Sequence, residues 1–73
     1  MTFDQVIAAL RRVRPDADVG ATARRGKYYR QARNMRFQRF NDQHYFADGP
    51  RGARMWLYVS QTFGRICCGN KNY

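Results

Sequence analysis

The chain contains no glutamate, a single histidine, a single tryptophan, two prolines and only two cysteines, which are adjacent. Each shortage removes a class of chemistry. Asp16, Asp18 and Gly20 have the look of the start of a calcium loop, but the later ligands, including a distal Glu, are missing. The five acids are all Asp. Three of them sit in turn-like contexts, which suits capping and turn formation better than paired-carboxylate catalysis. Cys67 and Cys68 give no CxxC spacing, so with His44 they do not make a zinc set. Nothing in the sequence places His44 beside either thiol as a base. A disulfide between neighbours would demand a strained ring, so two free thiols are expected, one packed as a small hydrophobe and one near the surface. The glycines are isolated, with no GxxxxGK phosphate loop. The expectation is a non-enzymatic protein with no metal and no cofactor.

Long apolar runs are also missing. The longest, Met55 to Val59, is too short to cross a bilayer. The opening Met1-Thr2-Phe3-Asp4 is not followed by the apolar segment of a secretory leader. These features predict a soluble intracellular protein, in the host cytoplasm if phage-encoded, and no membrane partner. Oligomeric state is not legible.

What is abundant is positive charge. The formal net charge is +9 over 73 residues, and 12 of the 14 basic residues are Arg. Arg recognises phosphate and carboxylate through a planar fork and stacks on rings, which Lys does poorly. The cations are densest in Arg24 to Phe40, RRGKYYRQARNMRFQRF, where Arg24, Lys27, Arg30, Arg33, Arg36 and Arg39 recur at every third position. Arg25 is an extra, and no acid interrupts them. Tyr28, Tyr29, Met35, Phe37 and Phe40 lie between. A step of three falls about 60° short of a helical turn, so the cations wind round a helix and alternate on a strand. In neither case do they form one solvated stripe with an apolar back. Some must meet aromatics or a partner.

Along the chain, residues 2 to 14 read as an amphipathic helix. Thr2 is the N-cap, Gln5 completes a capping box, and Asp4 complements the dipole. Phe3, Val6, Ile7, Leu10 and Val13 form the apolar stripe, Arg11, Arg12 and Arg14 crowd the carboxyl end, and Pro15 is the stop. Pro15 to Gly26 is a linker in which Val19 to Ala23 could be a short edge strand. Arg36 to Phe40 reads as strand, with a helix over Lys27 to Phe40 as the alternative. Asn41-Asp42 is a two-residue turn into a strand over residues 43 to 47. Asp48 to Gly52 is a strong turn signal. Ala53 to Ser60 is a strand with Met55, Leu57 and Val59 on one face and Arg54, Trp56 and Tyr58 on the other. Phe63 to Cys68 is a last strand, and residues 69 to 73 read as a frayed tail. The predicted fold is α+β in one domain, 1 to 73: an N-terminal amphipathic helix on an antiparallel sheet of three or four strands.

The candidate binding surface is Arg24, Arg25, Lys27, Tyr28, Arg30, Arg33, Arg36 and Arg39 with Arg54, Trp56 and Tyr58, plus Arg51 at the turn, where a basic hairpin tip could press on phosphates. Cations that track phosphates and aromatics that stack on unpaired bases are what a nucleic-acid partner requires. The consensus of the common four-stranded RNA-binding fold is absent. The bland alternative makes Trp56 and Tyr58 a second small core beneath the Pro15 to Gly26 loop. A rival function is an inhibitor or adaptor of the kind phages encode, anti-CRISPR proteins being one example of this size, whose arginines grip an acidic protein or nucleoprotein surface.

Overall fold

The computed structural model describes residues 1–49 and 52–72, the last two as backbone only. Helix α1 spans Phe3–Val13. The Thr2 hydroxyl accepts from the Gln5 backbone N–H, and the Gln5 side chain accepts from the Thr2 N–H, so the capping box is complete. Phe3, Val6, Ala9 and Leu10 are buried. Val13, placed by periodicity in the same stripe, is instead 43% exposed, beyond the reach of the core. Arg14 is the C-cap, as Pro15 requires.

Five strands follow: β1 Asp18–Val19, β2 Gln38–Asn41, β3 His44–Asp48, β4 Ala53–Val59 and β5 Arg65–Asn72. They form one sheet in the order β1-β5-β4-β3-β2. Strands β2 to β5 are an antiparallel meander, and β1 adds to β5 in parallel. The fold is therefore α+β with an N-terminal helix, but the sheet is mixed and has five strands rather than three or four antiparallel ones. The parallel edge strand β1 accounts for both the count and the mixed direction, and two local expectations change with it. The short edge strand stops at Val19, and Ala21–Ala23 turns into a 3-10 helix. Residues 69 to 72 are not a frayed tail: they continue β5 opposite Ala53 to Trp56. Tyr73 lies outside the described residues.

The basic stretch is divided between helix and strand. Helix α2 covers Lys27–Ala32, and β2 begins at Gln38. A continuous helix to Phe40 is thus replaced by a short helix of six residues and a strand. The turn into β3 is Asp42-Gln43, one residue later than Asn41-Asp42, because Asn41 still pairs with His44. Its Oδ1 also accepts from the Gln43 N–H.

The inner face of the sheet carries Tyr45 and Ala47, Met55, Leu57 and Val59, Ile66 and Cys68. Helix α1 lies over it nearest β4. Strands β1 and β2 are at opposite edges, so residues 20 to 37 must cross the sheet. They do so on the inner side, contributing Ala23, Ala32 and Phe37 to the same core. Tyr29 meets the Phe3 ring edge-on, with centroids 5.4 Å apart. The Thr22 hydroxyl accepts from the Cys68 N–H at 3.0 Å and fastens the crossing to β5. Both helices therefore cover one face. No helix among the described residues covers the other.

Candidate nucleic-acid interface

The outer face is built from cross-strand pairs. On β3 and β4, Asp48 faces Arg54, Phe46 faces Trp56, and His44 faces Tyr58. This follows from period-two alternation on two strands joined at the 48–52 turn. Pro50 and Arg51 lie outside the described residues, so the basic-tip expectation for Arg51 concerns a part of the chain without described geometry.

Strand β2 adds Phe40 beside an irregularity in its pairing. Gln38 pairs with Phe46 and Arg39 with Tyr45, but Asn41, not Phe40, pairs with His44. The extra residue is a bulge. It sets Asn41 rather than Phe40 opposite His44; Phe40 is on the outer face by simple alternation with Gln38, and its ring meets Trp56 at 5.4 Å and Phe46 at 6.5 Å, both edge-on. The bulge also brings Asn41 Oδ1 to 3.0 Å from His44 Nδ1. Because the same oxygen accepts from the Gln43 N–H, the proton of this contact belongs to Nδ1.

The His44 ring is stacked on Tyr58, with centroids 5.7 Å apart and planes 5° from parallel. It meets Trp56 edge-on at 6.4 Å. At the other end, the Arg54 guanidinium sits 4.4 Å above the Phe46 centroid, with its Nε donating to Asp48 Oδ1 at 3.1 Å. The result is a strip of five rings held by one cation–π contact and one ion pair. Exposure is uneven along it: Phe40 is 62% exposed, whereas Trp56 is 6% exposed. Trp56 is thus an interior support, covered by Phe40, Phe46 and His44 rather than by the Pro15 to Gly26 loop, whose Ala17 and Ala23 serve the inner core. Tyr58, His44 and Phe46 are half-buried. Burial, with smaller contributions from Cys67 and then Cys68, raises the Tyr58 hydroxyl above its ordinary pKa.

The cations fall in two places. Arg54 belongs to the aromatic strip. Arg24, Arg25, Lys27, Arg30 and Arg33 lie on the crossing that covers the opposite face, all exposed, together with the partly exposed Tyr28. Arg36 leads into β2, and Arg39 shares the Tyr45 side of that strand, paired with Asp42. The residues singled out as one surface are therefore split between the two faces, with β2 at the edge between them. Among the described residues the other two ion pairs are Arg14 with Asp16 and Arg54 with Asp48. Among the described residues, no carboxylate pairs with any cation from Arg24 to Arg36, so their field is uncompensated.

Phe40 and Phe46 are outside the surface expected from sequence, and His44 is weighed there only against metal and thiol chemistry and then expected as a strand residue. A signal for Phe46 and His44 was available, since their parity on β3 matches Trp56 and Tyr58 once the hairpin register is set. Phe40 carried the same signal, since on a strand it shares the parity of Gln38, which pairs with Phe46, and opposes that of the buried Phe37.

The thiols point to opposite faces. Cys68 is buried, its Sγ 3.5 Å from Met55 Sδ, and burial, with a smaller effect of Cys67, pushes its pKa up to about 12. Cys67 is half-buried opposite Tyr58, its Sγ donating to the Arg65 carbonyl. Tyr58 stands between His44 and Cys67 in the cross-strand row, so the three do not form a base–thiol pair. Among the described residues, no cluster of three or more His, Cys or Asp side chains is placed to hold a metal, and no helix is long and apolar enough to cross a membrane.

No protein-family model matches the chain, and no curated protein or solved structure matches it either.

Proposed function

We propose that this is a non-enzymatic binding protein that takes single-stranded nucleic acid on the open face of its sheet, with Phe40 as the outermost stacking ring and Tyr58, His44 and Phe46 behind it. The supporting observation is the uncovered strip of five rings on a chain with net charge +9. Unpaired bases present π-faces to exposed aromatics, and duplexes hide theirs, so such a strip selects single strands. Trp56 supports the platform from below. Arg54 sits at its end, where a phosphate can compete with Asp48 for the guanidinium. The cations of Arg24 to Arg36 lie on the far layer and supply long-range attraction and secondary phosphate contacts.

The test is fluorescence anisotropy with labelled single-stranded RNA, single-stranded DNA and duplex DNA over a salt series. Tighter binding of single strands, lost on Phe40→Ala, is the expected result. Equal affinity for all three, unaffected by that substitution, would sink the reading.

The division of cations and aromatics between two faces favours a second reading, in which the Arg24 to Arg36 layer grips an acidic protein or nucleoprotein surface and the chain acts as an inhibitor or adaptor. In that case purified nucleic acid binds without preference and an acidic protein is captured at physiological salt.

A further inference from the structure

A second site lies at the opposite edge of the sheet. Arg11 of α1, Arg24 at the end of the 3-10 helix and Arg65, the first residue of β5, line one open depression of about 640 Å³ together with Asp18, Val19, Gly20 and Ala21. The three guanidiniums come from three separate elements. Parallel pairing of Asp18 with Arg65 sets the floor, and the Gly20 N–H donates to the Ile66 carbonyl at 2.8 Å. Glycine favours this approach: a Cβ would stand 3.0 Å from that same carbonyl oxygen, tighter than ordinary contact. The strand edge can therefore come this close to β5 and bring the three arginines round it.

The charges do not cancel. Among the described residues, neither Asp18 nor any other carboxylate forms an ion pair with Arg11, Arg24 or Arg65. Three cations against one carboxylate leave the depression at +2. Like charges gathered around one hollow repel, and a bound anion removes that repulsion. Guanidinium forks match phosphate oxygens in pairs. The volume lies within the range of sites for small organic ligands, well above what a lone phosphate ion fills.

We propose that this depression binds the phosphate or diphosphate group of a nucleotide-sized ligand, either free or at the end of a strand. Arg11, Arg24 and Arg65 clamp the oxygens, and Asp18 limits the affinity by opposing the anion. None of its residues lies on the aromatic strip, and Arg24 alone is shared with the cationic layer invoked for long-range attraction, so the site stands whether or not bases stack on Phe40.

The probe is pyrophosphate, titrated into the full chain and followed by calorimetry and by the Arg Nε–H resonances in NMR. Saturable binding should shift the Nε–H signals of Arg11, Arg24 and Arg65. Arg24→Gln and Arg65→Gln should each weaken it about tenfold, the loss expected for a charge-assisted contact. Arg12→Gln, an exposed cation of α1 outside the depression, should leave it unchanged. Asp18→Asn should tighten binding severalfold, a gain that a misfolded variant cannot mimic. Single-stranded oligonucleotides with a 5′-phosphate and with a 5′-hydroxyl then separate the two sources: preference for the phosphorylated end identifies a strand terminus, and equal affinity of the two with pyrophosphate still bound identifies a free ligand. The proposal is overturned if Asp18→Asn and Arg65→Gln both leave pyrophosphate affinity unchanged. It is equally overturned if shifts spread evenly over all arginines, or if a poly-aspartate peptide binds the depression more tightly than pyrophosphate.

Discussion

Phe40 stands edge-on to Trp56 with ring centroids 5.4 Å apart, and the outer ring is 62% exposed while the inner one is 6% exposed. Two aromatics in one contact thus do different work. Phe40→Ala should leave the melting temperature nearly unchanged and weaken single-strand binding by about 1–3 kcal/mol, the worth of one stacked base. Trp56→Ala should instead destabilise the fold by about 3–5 kcal/mol, because it empties a covered position. Thermal melts and anisotropy on the two variants check both halves. Similar melting losses in the two would show that Phe40 is structural.

The exposed layer Arg30, Arg33 and Arg36 is expected to act through charge alone. Replacing all three by Ala should lower the slope of log affinity against log salt by about 2, taking roughly 0.7 per phosphate contact on a single strand. The circular dichroism spectrum should not change, since none of these side chains is buried. An unaltered slope would remove this layer from the interface.

The two thiols predict unequal labelling. In the native protein a maleimide should modify Cys67 well before Cys68, whose thiol is buried against Met55 and held protonated. Oxidation should not join them, because successive residues of β5 project to opposite faces. Mass spectrometry of a timed reaction distinguishes single from double modification. Simultaneous loss of both thiols would mean that β5 opens readily.

The same thiol gives a pH dependence with a definite sign. In the unfolded chain Cys68 ionises near its ordinary 9.0, whereas in the fold its pKa is about 12. Its contribution to stability is therefore intact below pH 9 and is lost between pH 9 and 12, at up to about 1.4 kcal/mol per pH unit. Tyr58, also raised, adds to the loss above pH 10. Urea denaturation at pH 8, 9, 10 and 11 should show a steeper decline in the natural chain than in Cys68→Ala. Parallel declines would contradict the burial of the thiol.

At the amino end, Thr2→Ala removes one half of the capping box. A loss of about 1 kcal/mol is expected in denaturant unfolding. Thr2→Asn should restore most of it, which separates capping from any effect of size.

What the sequence determined by itself was local. Thr2, Gln5 and Pro15 bound α1 because capping and the missing proline N–H act within a few residues. The 48–52 turn and the alternation of Met55, Leu57 and Val59 likewise set the central hairpin and its inner face. Tertiary structure decided the rest. Val13, the last residue of α1, stays outside the core although its periodicity places it in the stripe, and residues 69 to 72 joined β5 because Ala53 to Trp56 offered a ladder that no local propensity reveals. Arg24 to Phe40 resolved into α2 and β2 because β1 and β2 sit at opposite edges and the chain between them has to cross the inner face. That crossing carries the cations away from the aromatic strip, and the pairing of β2 with β3 sets Phe40 beside Phe46 and Trp56. Both depend on register between distant strands, and register is fixed by pairing rather than by composition.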